Sequence, residues 1–340
     1  MRPATKLISK KNLAHNLSVL SSLAPESKTI AVVKANAYGC EITQVFDALD
    51  KADLFAVAEI GEAMKIRQAG SDKPILLLEG VFEADELPIA YAENFEPVIA
   101  TFTQLQWLLD FPNDFSRVWF KLDTGMSRLG FQSHNADEAM QALLNRYGEE
   151  NIVIMTHFSD ADSPSRRKTL QQIDKFDEFA SRYPLCEQCL SASAGILAYP
   201  DAHRDYIRPG ISLYGVSPFD GNYGEDHDLK PVMTLKTAVL SVKQFKKDDP
   251  IGYGQTYRME TDGIIAVCAI GYADGYLRFI PSGTPILING NEYKVVGRVA
   301  MDMITVLVDE NVKVGDEVIC WGEDLPIERI ADKADTIAYQ

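Results

Sequence analysis

The chain opens on a segment of helical spacing, with Leu13, Leu17 and Leu20 on one face and Ser9 placed to cap it. From residue 30 to about 216, short apolar runs rich in β-branched residues alternate with amphipathic stretches of helical period. The runs are Ile30–Val33, Leu54–Ala58, Ile75–Leu78, Pro97–Ala100, Val118–Leu122, Ile152–His157, a short one near Cys189–Ser193, and Ile207–Tyr214. Helical intervals are clearest at Ile60–Ala69, which Gly70 closes, at Thr103–Leu109 and at Ser165–Arg182. Eight strand-plus-helix units of about 20–35 residues predict a (β/α)8 TIM-type barrel, because each parallel strand needs a crossover helix.

After residue 230 the rhythm changes. Pro231–Val242, Ile264–Ile270, Thr284–Ile288, Tyr293–Val296, Ile304–Val308 and Glu317–Cys320 are short runs separated by Gly, Asp, Asn and Pro. Asn289-Gly290-Asn291 is a tight-turn signal, and helical stretches are nearly absent. The expected architecture is α/β: a barrel domain over residues 1–225, then a mainly-β C-terminal domain over 226–340. The polar loop Pro218–Leu229 links them.

Composition adds mainly exclusions. The 340 residues carry a net charge of −16, which argues against a nucleic-acid or anionic-membrane partner. The N-terminus lacks a secretory apolar core and no run is long enough to cross a bilayer, so a cytoplasmic location is expected. Five scattered cysteines make no disulfide framework, and Cys186-Glu-Gln-Cys189 has no second ligand pair nearby. The five histidines show no H-x-x-x-H arrangement, so no metal is expected.

In a barrel, chemistry gathers where the strands end. Lys34 stands at the mouth of the first strand, on rigid backbone with an apolar wall behind it. An amine needs that setting to form a Schiff base at neutral pH. Tyr38 follows four residues on, close enough to help hold an anion. Lys121 and Arg128 follow strand five, His157 closes strand six, Ser193 closes strand seven, and Arg208, Gly210 and Ile211 enter strand eight. Each has a plain alternative: a solvated lysine, a satisfied core histidine, an ordinary ion-pair arginine. Their convergence on one rim is what speaks for a site. On the residues alone, this is a barrel enzyme with a Schiff-base lysine, and an aldolase is an equal contender.

Ala31-Val-Val-Lys-Ala-Asn-Ala-Tyr-Gly39 resembles the pyridoxal-phosphate attachment motif of the alanine racemases. Lys121-Leu-Asp-Thr-Gly-Met-Ser-Arg-Leu-Gly130, Arg208-Pro-Gly-Ile-Ser-Leu-Tyr-Gly215, Ile251-Gly-Tyr-Gly254, Gly271-Tyr-Ala-Asp-Gly275 and Gly297-Arg-Val-Ala-Met-Asp302 are similar to further motifs of that family, in the same order. The resemblance runs from about residue 5 to the end of the sequence.

It implies a two-base racemase using pyridoxal 5'-phosphate to interconvert L- and D-alanine, supplying D-alanine for cell-wall peptidoglycan. Lys34 would carry the cofactor and serve as base on the D-alanine face; Tyr253 would be the opposite base, delivered across a homodimer interface. Arg128 would bind the substrate carboxylate with the Met301 amide, beside Asp302. Lys121 matches a position that is carbamylated in many relatives, where it steadies the arginine. Tyr38, Ser193, Gly210, Ile211 and Tyr339 would hold the phosphate. Arg208 would face the pyridine nitrogen, with His157 beside the ring.

The sequence departs from the family pattern in places. Cys40 and Glu41 follow Gly39 where His-Gly is usual, Ala192 stands where asparagine is common, and Met303 replaces a common glutamine. Cys189 occupies a frequent histidine position. The family pattern also continues past residue 340, so the end reads as truncated, which implies weaker cofactor retention. Rival readings are a broad-specificity amino-acid racemase, a decarboxylase of the same architecture, a non-catalytic pyridoxal-phosphate carrier and an inactive descendant.

Overall fold

The computed structural model describes residues 2–338. Two compact units emerge: residues 10–229, and residues 2–9 together with 230 onward.

The first unit is a closed parallel barrel. Setting aside a first strand β1 (Thr5–Ile8), its staves are β2 (Lys28–Val32), β3 (Leu54–Val57), β4 (Ile75–Leu77), β5 (Phe95–Ile99), β6 (Val118–Lys121), β7 (Ile152–Met155), β8 (Glu187–Ala192) and β9 (Tyr206–Arg208). The interior is filled by Ile30, Leu54, Leu76, Val98, Trp119 and Met155, all buried. That packing explains the apolar runs: strands buried on both faces need no polar alternation. Helices Lys10–Ser22, Ile60–Gln68, Phe102–Asp110 and Arg167–Ala180 cover the outside, as their periodicity predicts.

The last stave differs from its expectation. Instead of spanning Ile207–Tyr214, β9 ends at Arg208, so Arg208 closes the strand and does not precede it. Pro209 has no N–H for the ladder, Gly210 turns away at φ −118° and ψ −100°, and Ile211–Tyr214 forms a 3-10 turn.

The second unit is antiparallel. Its strands are β10 (Met233–Phe245), the hairpin pair β11 (Pro250–Ile251) and β12 (Tyr257–Arg258), β13 (Gly263–Cys268), β14 (Pro285–Ile288), β15 (Asn291–Val296), β16 (Ile304–Val308) and β17 (Glu317–Trp321). The order β10-β13-β16-β15-β14-β17 returns to β10, closing a ring around Ala266, Ile286, Val306 and Val318. A register shift between Val239 and Ser241 lets the long strand β10 serve both neighbours. Two features escaped the sequence pattern. β1 pairs antiparallel with β10, so residues 5–8 belong with this sheet. A helix also forms at Ile327–Ala334. No helix among the described residues is long and apolar enough to cross a membrane.

Candidate active site

The amine at the mouth of β2 is held by backbone on two sides. Val32 N–H donates to Pro209 O at 3.0 Å, and Val33 N–H donates to Ala56 O at 2.8 Å. Lys34 leaves this anchored end and is half-buried. The expected glycine-ended turn proves to be a left-handed helical turn. Ala35, Asn36, Ala37 and Tyr38 have φ of 52°, 54°, 57° and 52° before Gly39. Each such L-residue costs roughly 1–2 kcal/mol, so the segment is strained where the candidate chemistry sits.

Tyr38 ends that turn with its ring 4.7 Å from Tyr214, whose hydroxyl donates to Val32 O at 3.2 Å. Its own hydroxyl lies against Gly210: a Cβ there would sit 2.8 Å from Tyr38 Oη. Beside it, the Gly210 and Ser212 amides both donate to Ser193 Oγ, at 3.0 and 3.3 Å. Two backbone amides, two hydroxyls and a glycine left bare of side chain make a cradle suited to an anionic oxygen cluster. Ser212 Oγ is a buried hydroxyl without a partner in the structure. Sequence reading did not single it out.

Arg208 closes β9 and is buried. Its Nη1 donates to Cys189 O at 3.1 Å and to Cys189 Sγ, and its Nη2 donates to Thr156 O at 2.8 Å. His157 Nδ1 lies 3.4 Å from the same Nη2. Burial first, then Arg208, Lys121, Arg128 and Lys34, push the imidazole down to about 3. The ring is therefore neutral at working pH, and with Nδ1 facing a guanidinium its proton belongs on Nε2. Lys121 is pushed down to about 8, mainly by burial and then by Arg208 and Arg128.

Within the barrel unit, Lys34, Lys121, Arg128 and Arg208 all act electrostatically on His157, and Tyr38, Ser193 and Gly210 share the cradle. Arg128 is exposed in a loop pinned by Asp123, whose carboxylate accepts the Gly125 and Ser127 amides at 2.9 and 3.1 Å. Gln172, which no motif marked, ties two rim loops together. Its Nε2 donates to Thr124 Oγ1 at 3.0 Å and to His157 O at 3.2 Å, while its Oε1 accepts Ser159 N–H at 2.9 Å. A polar residue on the buried face of Arg167–Ala180 was the available signal.

Tyr253, Met301 and Asp302 belong to the second unit. Tyr253 projects from a tight turn between Gly252 and Gly254, both at positive φ, and is 70% exposed. Met301 lies on a loop packed on Gly271, where a Cβ would meet Ala300 O and Met301 O at 2.3 Å. Arg2 fastens that loop through Asp302 Oδ1 at 3.1 Å and Asp302 O at 2.9 Å. Tyr339 lies outside the described residues.

Chemically, the rim of the barrel offers an amine, the cationic Arg208 and Lys121, and an amide–hydroxyl cradle. That set suits a ligand that bears an anionic oxygen cluster and a carbonyl able to condense with the amine.

Known proteins share this architecture. Residues 8–218 match the family model "Alanine racemase, N-terminal domain", and residues 232–340 match "Alanine racemase, C-terminal domain". An alanine racemase of Yersinia pestis is 46% identical over 347 residues, covering 100% of this chain and 96% of the relative. The biosynthetic alanine racemase of Escherichia coli K12 is 44% identical over 348 residues, with coverage of 100% and 96%. The crystal structure of the biosynthetic alanine racemase of Pseudomonas aeruginosa superposes with a TM-score of 0.96 at 36% identity, covering 100% of this chain and 96% of that one.

Proposed function

Because the chain belongs to the alanine racemase family, we infer that it interconverts L-alanine and D-alanine, and that it does so with pyridoxal 5'-phosphate held on Lys34. The observation that carries the cofactor assignment is the cradle formed by Ser193 and the Gly210 and Ser212 amides beside Tyr38. It lies at the same barrel rim as the strand-end amine. Tyr38, Ser193, Gly210 and Ile211 would hold the phosphate, and Arg208 would face the ring nitrogen. Tyr339 is a further candidate there. When bound, the cofactor supplies the electron sink that makes the substrate α-proton removable.

This chain's residues would do the rest. Lys34 Nζ moves the proton on the D-alanine face, and the Tyr253 hydroxyl, from a second subunit of a homodimer, moves it on the other. Two bases on opposite faces invert the carbon without turning the substrate over. Arg128 pairs with the alanine carboxylate and the Met301 amide assists. An arginine does not release its proton, so Arg208 would leave a ring nitrogen facing it unprotonated. The neutral His157 holds Arg208 in place from Nδ1 and can donate from Nε2. Lys121, its amine pushed down to about 8, would add carbon dioxide as a carbamate, releasing a proton to solvent, and would steady Arg128. A cytoplasmic role in making D-alanine for peptidoglycan fits this reading.

The test is incubation of the protein with L-alanine in deuterated water, with and without added pyridoxal phosphate. Cofactor-dependent formation of α-deuterated D-alanine is expected. Its absence from cofactor-saturated protein overturns the assignment. The same run with serine or valine measures substrate breadth.

A further inference from the structure

The left-handed turn Ala35–Tyr38 runs from the amine that would carry the cofactor to the phenol that would hold its phosphate. Its geometry therefore sets the span between those two groups. A run of L-residues in this region persists only where the surroundings over-determine it. Internal backbone bonds supply part of that constraint: Ala37 N–H donates to Val33 O at 2.8 Å, Gly39 N–H to Ala35 O at 3.1 Å and Glu41 N–H to Asn36 O at 3.0 Å.

The Asn36 amide is too early in the turn to find a partner there, as at the start of any helix. Its partner comes from outside. Glu62, in the first turn of helix Ile60–Gln68, accepts Asn36 N–H through Oε1 at 3.1 Å. Glu62 Oε2 accepts Ala58 N–H at 3.0 Å. One carboxylate therefore joins the turn after β2 to the loop after β3, each oxygen engaged by a backbone donor. Asn36 is fixed a second time, because its Oδ1 accepts Ile42 N–H at 3.1 Å.

We propose that Glu62 is a positioning residue for the reaction: its carboxylate braces the left-handed turn and so fixes the separation and direction of Lys34 and Tyr38. Glu62 acts through two backbone amides and needs no contact with substrate. The geometry calls for a carboxylate in particular. Both facing groups are donors, and only a carboxylate accepts at both oxygens. Glutamine would turn an N–H toward one of the amides, so Glu62→Gln weakens the brace while keeping shape.

The proposal rests on the reading of Lys34 and Tyr38 as cofactor residues, and its test separates the two. Hydrogen exchange of the cofactor-free protein reads the brace directly. In Glu62→Gln and Glu62→Ala, the peptide spanning residues 33–41 should exchange about tenfold faster, the equilibrium effect of one charge-assisted hydrogen bond. The peptide spanning β6 should be unchanged. Pyridoxal-phosphate binding should weaken by about tenfold in parallel. The circular dichroism of the lysine-bound chromophore should change, and kcat should fall more than KM for alanine rises. Unchanged exchange in both variants overturns the brace. Faster exchange with dissociation constant and chromophore dichroism as in the parent overturns the positioning role. If Glu62→Ala does not fold, Glu62→Gln decides alone. Borohydride trapping on the parent protein tests the cofactor reading separately: a label absent from Lys34 removes that reading and leaves the exchange result standing.

Discussion

Arg208 Nη1 donates to the sulfur of Cys189 at 2.9 Å, deep inside the barrel where Arg208 is only 3% exposed. The guanidinium's remaining partners are the carbonyls of Cys189, Thr156 and Leu190 and the neutral His157 imidazole. A cation held, among the described residues, by neutral acceptors keeps its charge free to act on what lies against it. Sulfur is a weak acceptor, yet the N–H aimed at it is buried and has few alternatives. Cys189→Val should therefore cost about 1–2 kcal/mol in urea unfolding and lower racemisation, while Cys189→Ser, which keeps an acceptor, should lose less. Equal losses in the two variants would mean that the sulfur only fills space.

The identity of the group at position 208 should control reaction fidelity. A glutamate there can share a proton with the ring nitrogen, which an arginine cannot supply to it. Arg208→Glu is expected to raise pyruvate formation relative to racemisation by tenfold or more, on the order of 1.4 kcal/mol of altered partitioning. Counting both products from one incubation with L-alanine settles it, and an unchanged ratio refutes the argument.

Lys121 makes a prediction about stability and pH. Its folded-state value is about 8 against an ordinary 10.5. Between those two the unfolded chain binds more protons, so stability rises with pH across that window. Below pH 8 the folded protein carries the full cost, about 3 kcal/mol for a buried amine displaced this far. In bicarbonate-free buffer at pH 7, Lys121→Met should be more stable by that order, and the difference should vanish above pH 10.5. Added bicarbonate should stabilise the parent and leave the methionine variant unmoved. A difference independent of pH would rule out charge as its origin.

The apolar runs made seven of the barrel staves legible, because a strand buried on both faces has no other pattern available. Arg208 at the end of β9 was misplaced, since Ile207–Tyr214 keeps reading as apolar after Pro209 has stopped the ladder. β1 was missed because its burial is slight and its partner, β10, lies more than two hundred residues away in sequence. The left-handed turn was invisible for a different reason. Of Ala35, Asn36 and Ala37 only the asparagine favours that region, and part of what holds the run is tertiary: Asn36 N–H donates to a carboxylate on a later helix. Candidate site residues carried by motifs could be named in advance; residues that tie the rim together through specific tertiary hydrogen bonds, such as Gln172 and Glu62, could not.

Tyr253 bears the sharpest test of the two-base reading. Its turn is fixed by Gly252 at φ 70° and Gly254 at φ 69°, values that favour glycine on both sides of the phenol. The phenol is 70% exposed on this turn, and under the proposed reading it serves the site of a second subunit. If its hydroxyl handles only the L-face proton, removing that oxygen must affect the two enantiomers unequally. Tyr253→Phe should slow α-proton exchange of L-alanine in deuterated water by about 10²–10⁴-fold, the range for loss of a positioned base. Exchange of D-alanine, handled by Lys34, should persist near the parent rate, and net racemisation should stop in both directions. Mixing this variant with a Lys34→Ala protein adds a decisive control. Subunit exchange would create one active site carrying both native bases, and racemisation should reappear; failure to complement, with exchange of subunits verified by mass spectrometry, would place both bases on the same chain.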